Sequence, residues 1–194
     1  MGIKEKIKEI KESDNFWAGL LRDFIFTLMV FTIFSSFSYI ALGRFSPMVA
    51  VESESMVPHL KVGDIIFIES ANRTEIVTYE ESKKTGVSSF ESYGNVILYK
   101  RIGSEKLPPI IHRAMFYVDK GDPMWPGGPP APYAGYITKG DNSKTNAAYD
   151  QQGSISYMQP VKKEWVIGVA RFRPIPLLGC VTLTMKGNLA CFNT

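Results

Sequence analysis

From Phe24 to Leu42 the chain runs nineteen residues without a charge, rich in Phe, Ile, Leu and Val. At about 1.5 Å per residue, a helix of that length just crosses a hydrocarbon core of roughly 30 Å. A cleavable leader would have a shorter apolar core and a small-x-small exit. Neither is present, so the stretch reads as a retained anchor. Lys4, Lys6, Lys8, Lys11 and Arg22 precede it, whereas only Arg44 and Lys61 follow closely. The positive-inside rule therefore puts the N-terminus in the cytoplasm. The predicted layout is a cytoplasmic segment 1–23, a single-pass anchor 24–42 and an extracytoplasmic domain 43–194. Ile3, Ile7 and Ile10 recur at helical spacing, which fits a helix along the inner membrane face and equally a solvated one.

Beyond the anchor the pattern changes to β. Met48–Val51, Ile65–Ile68, Val96–Tyr99, Ile110–Val118, Tyr136–Thr138 and Val166–Phe172 are short apolar or β-branched runs. Gly, Pro, Asn or Asp bound them, and none is long enough for a confident helix. The expected fold is mainly β, a membrane-anchored domain of packed, twisted sheets. With 45% hydrophobic and 21% charged residues the chain is not disordered. Its net charge of +3, without a Lys/Arg stripe, gives no support to nucleic-acid binding.

Two connections stand out. Residues 71–94 are polar and read as an excursion from the β core, with an Asn72-Arg73-Thr74 glycosylation sequon that has meaning only on the outer side. Residues 120–135 hold Pro123, Pro126, Pro129, Pro130 and Pro132, so this is a loop. Its Met124 and Trp125 are expected to pack back onto the domain. Near the C-terminus, 174–181 is too short for a second span; membrane-surface contact and core packing both fit it. Cys180 and Cys191 have no metal-binding spacing. Two thiols are favoured over a disulfide, which would require an oxidising compartment.

The chemistry lies in three segments in order. Ser53-Glu54-Ser55-Met56-Val57-Pro58 comes first, then Ile110-Ile111-His112-Arg113, then Lys139-Gly140-Asp141-Asn142 with Asp150 beyond. A serine needs a base to become a nucleophile near neutral pH, and the base needs an orienting partner. A Ser, a His and two candidate Asp on separate segments behind one anchor suggest acyl-bond hydrolysis at a membrane surface.

These segments resemble the signatures of type I signal peptidases. Ser53 to Pro58 with Gly63-Asp64 resembles the first. Ile110 to Arg113 is similar to the second in the endoplasmic-reticulum and archaeal branch, where histidine stands in place of the bacterial lysine. Gly140-Asp141-Asn142 with Asp150 resembles the third. The resemblance implies Ser55 as nucleophile, His112 as general base and Asp150 as the orienting acid, preferred over Asp141, which is a second important carboxylate. Between these two Asp the stretch 143–149 looks like a small insertion. Ser53 is implied as an oxyanion donor beside the Ser55 backbone N–H, and Met56 joins the substrate-binding positions. Glu54 departs from the frequent Gly, and Asn95 from a frequent Asp.

The implied activity is membrane-bound removal of signal peptides from secreted and membrane preproteins, after small residues, with no cofactor and no metal. Implied partners are preprotein signal peptides, the lipid bilayer, and the secretion translocon or other peptidase subunits. An extended substrate would add as a strand before Ser55, with Met48, Val49, Ile66, Ile68 and Val96 as candidate walls, each also readable as core. Two rivals remain: a non-catalytic tethered subunit, and a Ser55/Lys100 dyad suggested by Lys100-Arg101-Ile102-Gly103. A Ser-Lys self-cleaving regulator is disfavoured by the anchor. His59 is expected to be solvated.

Overall fold

A computed structural model describes residues 15–192. The expectations at Ile3, Ile7, Ile10 and the early lysines lie outside the described residues. The chain divides into two compact units that meet between Ser46 and Pro47.

The first unit holds helix α1, Phe16–Leu42. The Asn15 side chain caps it by accepting from the Trp17 N–H at 3.0 Å. Gly43, left-handed at φ 70°, closes it by donating to the Tyr39 carbonyl. The helix therefore begins eight residues before the uncharged run and includes Arg22 and Asp23. Its 27 residues exceed the ~20 that a hydrocarbon core needs. It is long and apolar enough to cross a membrane.

The second unit is mainly β, as the short apolar and β-branched runs predict. Its strands are β1 (Met48–Ala50), β2 (Ile65–Ser70), β3 (Ser88–Ser89), β4 (Ser92–Tyr93), β5 (Val96–Tyr99), β6 (Ile110–Val118), β7 (Gly135–Lys139) and β8 (Val166–Ile175). Six form one antiparallel sheet in the order β1-β2-β8-β5-β6-β7, while β3 and β4 make a separate hairpin. All four residues of β5 are buried. Successive side chains of a strand point to opposite faces. Accordingly Val96 and Leu98 enter one core, with Met56, Leu60, Ile66 and Ile68. Ile97 and Tyr99 enter another, with Ala114, Tyr136, Val161 and Val169. β5 thus carries a core on each side and fixes β6 against it through the pairs Val96–Arg113 and Ile97–His112.

The polar excursion contains an unforeseen helix, α2 (Tyr79–Thr85). Thr78 and Glu81 form a reciprocal capping box, and Gly86 ends the helix in the left-handed region. The proline loop behaves as expected: Met124 is buried against Val118, Ala131 and Ile137, and Trp125 packs on that cluster. A third helix, α3 (Gly179–Met185), follows β8. Cys180 and Cys191 are disulfide-bonded, with Cα atoms 5.8 Å apart. Two cysteines show no pairing geometry in sequence, which is why the thiol reading was favoured there.

Candidate active site

Ser55 sits in a single 3-10 turn, Glu54–Met56, between β1 and β2. Two groups brace this turn from the loop after β7. Asn142 donates its backbone N–H to the Ser55 carbonyl at 2.9 Å, and its side-chain amide to the Glu54 carbonyl at 2.9 Å. Asn146 adds a side-chain donor to the Ser55 carbonyl at 3.2 Å. Gly140 makes the approach possible, since a Cβ there would lie 2.6 Å from the Ser55 carbonyl oxygen. The Gly-Asp-Asn motif is thus a cradle for the Ser55 turn. Met56, the next residue, is fully buried in the core beneath it. Ser53 Oγ donates to Ser55 Oγ at 3.2 Å. Among the described residues the Ser55 backbone N–H has no hydrogen-bond partner, which leaves it available to an oxyanion.

β6 carries His112. His112 is 2% exposed, and its Nδ1 lies 2.8 Å from Asp150 Oδ2. The same oxygen accepts from Thr138 Oγ1 at 2.6 Å and from the Tyr99 hydroxyl at 2.9 Å. Thr138 is itself held by the fully buried Gln151, whose Oε1 accepts the Thr138 N–H at 3.1 Å. Burial, then the Asp150 charge, pushes the Tyr99 hydroxyl well above its ordinary pKa, so it stays a protonated donor. A carboxylate so fixed can hold one imidazole tautomer and stabilise the imidazolium.

The other carboxylate has different partners. Arg113 follows His112 on β6 and points to the opposite face. Its Nε donates to Asp141 Oδ1 at 2.8 Å and its Nη2 to Asp141 Oδ2 at 2.6 Å, a two-pronged pair. Arg113 Nη1 donates to the carbonyls of Ser89, Tyr93 and Gly94 at 2.6–3.1 Å, so this 1%-exposed cation is fully satisfied. His59 Nδ1 lies 2.8 Å from Asp141 Oδ2, and its side chain stays 20% exposed outside the Ser55 cleft, so it is partly solvated but paired. Asp141 therefore anchors the loop that cradles Ser55, while Asp150 is the carboxylate that touches His112.

Ser55 and His112 line one cleft of about 600 Å³. Met48, Val49, Leu98, Pro109, Ile110 and Ile111 give it apolar walls, and Ser53 and Glu52 a polar lip. The cleft follows the β1 edge of the sheet. Of the candidate walls Met48 and Val49 line it, whereas Ile66, Ile68 and Val96 are core. Lys100 Nζ donates to the exposed Glu105 at 2.7 Å, and Lys100 is absent from the cleft lining. Tyr99, Thr138, Arg113 and Asn142 escaped a functional reading from sequence. Arg113 and Asn142 lay inside quoted motifs without a role of their own, and Tyr99 and Thr138 stood beside Lys100 and Lys139 on runs that read as core strand.

No family model matches the chain. The signal peptidase complex catalytic subunit sec11 of Schizosaccharomyces pombe is 30% identical over 142 residues, covering 71% of this chain and 66% of that protein. The signal peptidase complex catalytic subunit sec11 of Neurospora crassa is 29% identical over 141 residues, covering 73% and 64%. The match spans slightly under two thirds of each relative. With the three signatures in order and a His112–Asp150 pair behind the Ser55 cleft, the chain belongs to the type I signal peptidase family, in its endoplasmic-reticulum-type branch.

Proposed function

We propose that this chain is a membrane-bound serine endopeptidase that removes signal peptides from secreted and membrane preproteins after small residues. The observation that carries the reading is the shared cleft of Ser55 and His112, with His112 backed by Asp150 at 2.8 Å. His112 Nε2 takes the Ser55 proton as Oγ attacks the scissile carbonyl, and returns it to the departing amine. Water then enters the emptied leaving-group side, and the same imidazole activates it against the acyl-enzyme. The Ser55 N–H and the Ser53 hydroxyl stabilise the oxyanion, each worth about 3 kcal/mol in comparable sites. An extended peptide adds beside β1, with its small side chains against the apolar wall.

α1 serves as the anchor, with residues 1–23 cytoplasmic and 43–194 extracytoplasmic. The Cys180–Cys191 bond supports that placement, because disulfides persist in oxidising compartments. Both relatives carry the words "complex catalytic subunit", which supports further peptidase subunits as partners beside the bilayer and the translocon. The deciding experiment compares wild type and Ser55→Ala, each full chain in lipid, on one preprotein and with a fluorophosphonate probe. Cleavage and labelling are expected of wild type alone. A wild type inert to both would overturn the reading and favour a non-catalytic subunit, whereas an alanine variant that still cleaves would overturn Ser55 as the nucleophile.

A further inference from the structure

Residues 177–191 play no part in the chemistry above, yet they border it. α3 is seven residues long, too short to persist alone in water. Four contacts hold it. The Gly179 N–H donates to the Gly63 carbonyl at 2.8 Å. Leu183 is fully buried. Gly179 packs where a Cβ would lie 2.8 Å from the Gly63 oxygen and 3.0 Å from the Ala50 side chain. The Cys180–Cys191 bond ties the first turn of the helix to the segment that follows it. Both sulfurs rest on Gly63, where a Cβ would collide with them; Cys191 Sγ would be 2.8 Å away. Gly63 belongs to the segment joining the Ser55 turn to β2.

The orientation this imposes is specific. Thr182 in α3 and Lys186, which caps its C-terminal end by donating its N–H to the Thr182 carbonyl at 3.2 Å, line the cleft that holds Ser55 and His112. Lys186 Nζ lies 3.3 Å from Glu52 Oε1 across the lip, next to Ser53. α3 therefore stands over the β1 side of the cleft, where an extended peptide would lie.

We propose that α3 is a substrate-positioning wall of this cleft and that the Cys180–Cys191 bond holds it in place. Thr182 and Lys186 bound the peptide, and the two cysteines act through them as positioning residues. This rests on the peptidase reading. Opening the bond frees the Cys191 end, lets α3 fray and widens the cleft, while Ser55, His112 and Asp150 keep their partners on other elements. Reduction by an added dithiol converts the one disulfide to two thiols as the dithiol closes to its own disulfide.

The test uses the full chain in lipid and a peptide spanning a signal-peptide cleavage site. Compared are the oxidised chain, the same chain after dithiothreitol, Cys180→Ser/Cys191→Ser, and Lys186→Ala with the disulfide intact. We expect KM to rise about fivefold on loss of the bond and about two- to threefold in Lys186→Ala, with kcat within about twofold. Fluorophosphonate labelling of Ser55 should stay at the oxidised rate, because that small probe does not span the wall. Unchanged KM in the reduced chain and in Lys186→Ala overturns the proposal, as does a fall in kcat and labelling at constant KM. If the double-serine variant fails to fold, the reduced chain and Lys186→Ala still decide. Failure of the oxidised chain to label or cleave would sink the peptidase reading, an outcome distinct from normal labelling with unmoved KM.

Discussion

The Tyr99 hydroxyl donates to Asp150 Oδ2 at 2.9 Å, the same oxygen that faces His112 Nδ1 at 2.8 Å. Tyr99 lies at the end of the most buried strand, so its ring fills the core while its tip orients a carboxylate. Tyr99→Phe should keep the packing, remove one donor and lower kcat about tenfold, near the 1.5 kcal/mol lower limit for a bond to a charged group. The raised Tyr99 pKa has a sign at high pH. The folded chain keeps a proton that the unfolded chain releases near pH ~10, so stability falls as pH rises above that value. Denaturant titrations across that range should show a shallower alkaline loss in Tyr99→Phe.

The two carboxylates should fail in different ways. Asp150→Asn removes the charge that stabilises the imidazolium, and kcat should fall by up to roughly 10⁴-fold with little loss of stability. His112→Ala should be as severely impaired, and Lys100→Ala should keep most activity. Asp141→Asn leaves the buried Arg113 without its counter-charge and should cost about 3–5 kcal/mol of stability. Its folded fraction should lose less in kcat than Asp150→Asn. Single-turnover rates paired with chemical denaturation separate these outcomes; equal kinetic losses in both variants would contradict the division of roles.

Gly140→Ala tests the cradle. The added methyl must displace the Ser55 carbonyl or the Asn146 amide, each about 2.6 Å from the ideal Cβ. A nucleophile shifted by an ångström can lose on the order of 100-fold in rate. Fluorophosphonate labelling of Ser55 should slow by at least about tenfold, at a stability cost of about 1–3 kcal/mol. Labelling at the wild-type rate would mean that the loop does not position Ser55.

The α2 capping box gives an acid-side prediction. Hydrogen bonds from the Thr78 backbone and hydroxyl hold the Glu81 carboxyl below its ordinary pKa. A depressed acid stabilises the fold fully above its unfolded pKa, ~4.3, and the contribution is lost as pH falls through the lower folded value. The protection of the Glu81 and Ser82 amides, relative to their intrinsic exchange rates at each pH, should therefore fall below that range. In Glu81→Gln, which still fits a capping box, this pH dependence should vanish.

How much of this was legible differs by element. The β runs were readable because short apolar, β-branched stretches bounded by Gly, Pro, Asn or Asp survive in sequence, and β5 and β6 fall where the pattern put them. Ser55, His112 and Asp150 were readable as ordered motifs, and Asp150 does sit against His112. Tyr99 was not, because the polar tip of an aromatic on an apolar strand looks like core. α2 was missed although Thr78-x-x-Glu81 spells a capping box, because its residues carry no apolar stripe and the stretch looked solvated. α3 was missed because seven residues hold no period, and what fixes them is a long-range contact with Gly63. The pairing of His59 with Asp141 was illegible because 82 positions separate the two.

The alternation of His112 and Arg113 has a consequence for how this protein can fail. Each reaches its own carboxylate only in one pairing of β6 with β5, set by Val96–Arg113 and Ile97–His112. A slip of one residue would carry both side chains to the opposite faces, away from Asp150 and Asp141. His112 would lose Asp150, and the loop that cradles Ser55 its Arg113 anchor, in the same event. A chain mis-registered at this strand would therefore have no partly working form, and a population of such chains should divide into fully competent and fully silent molecules.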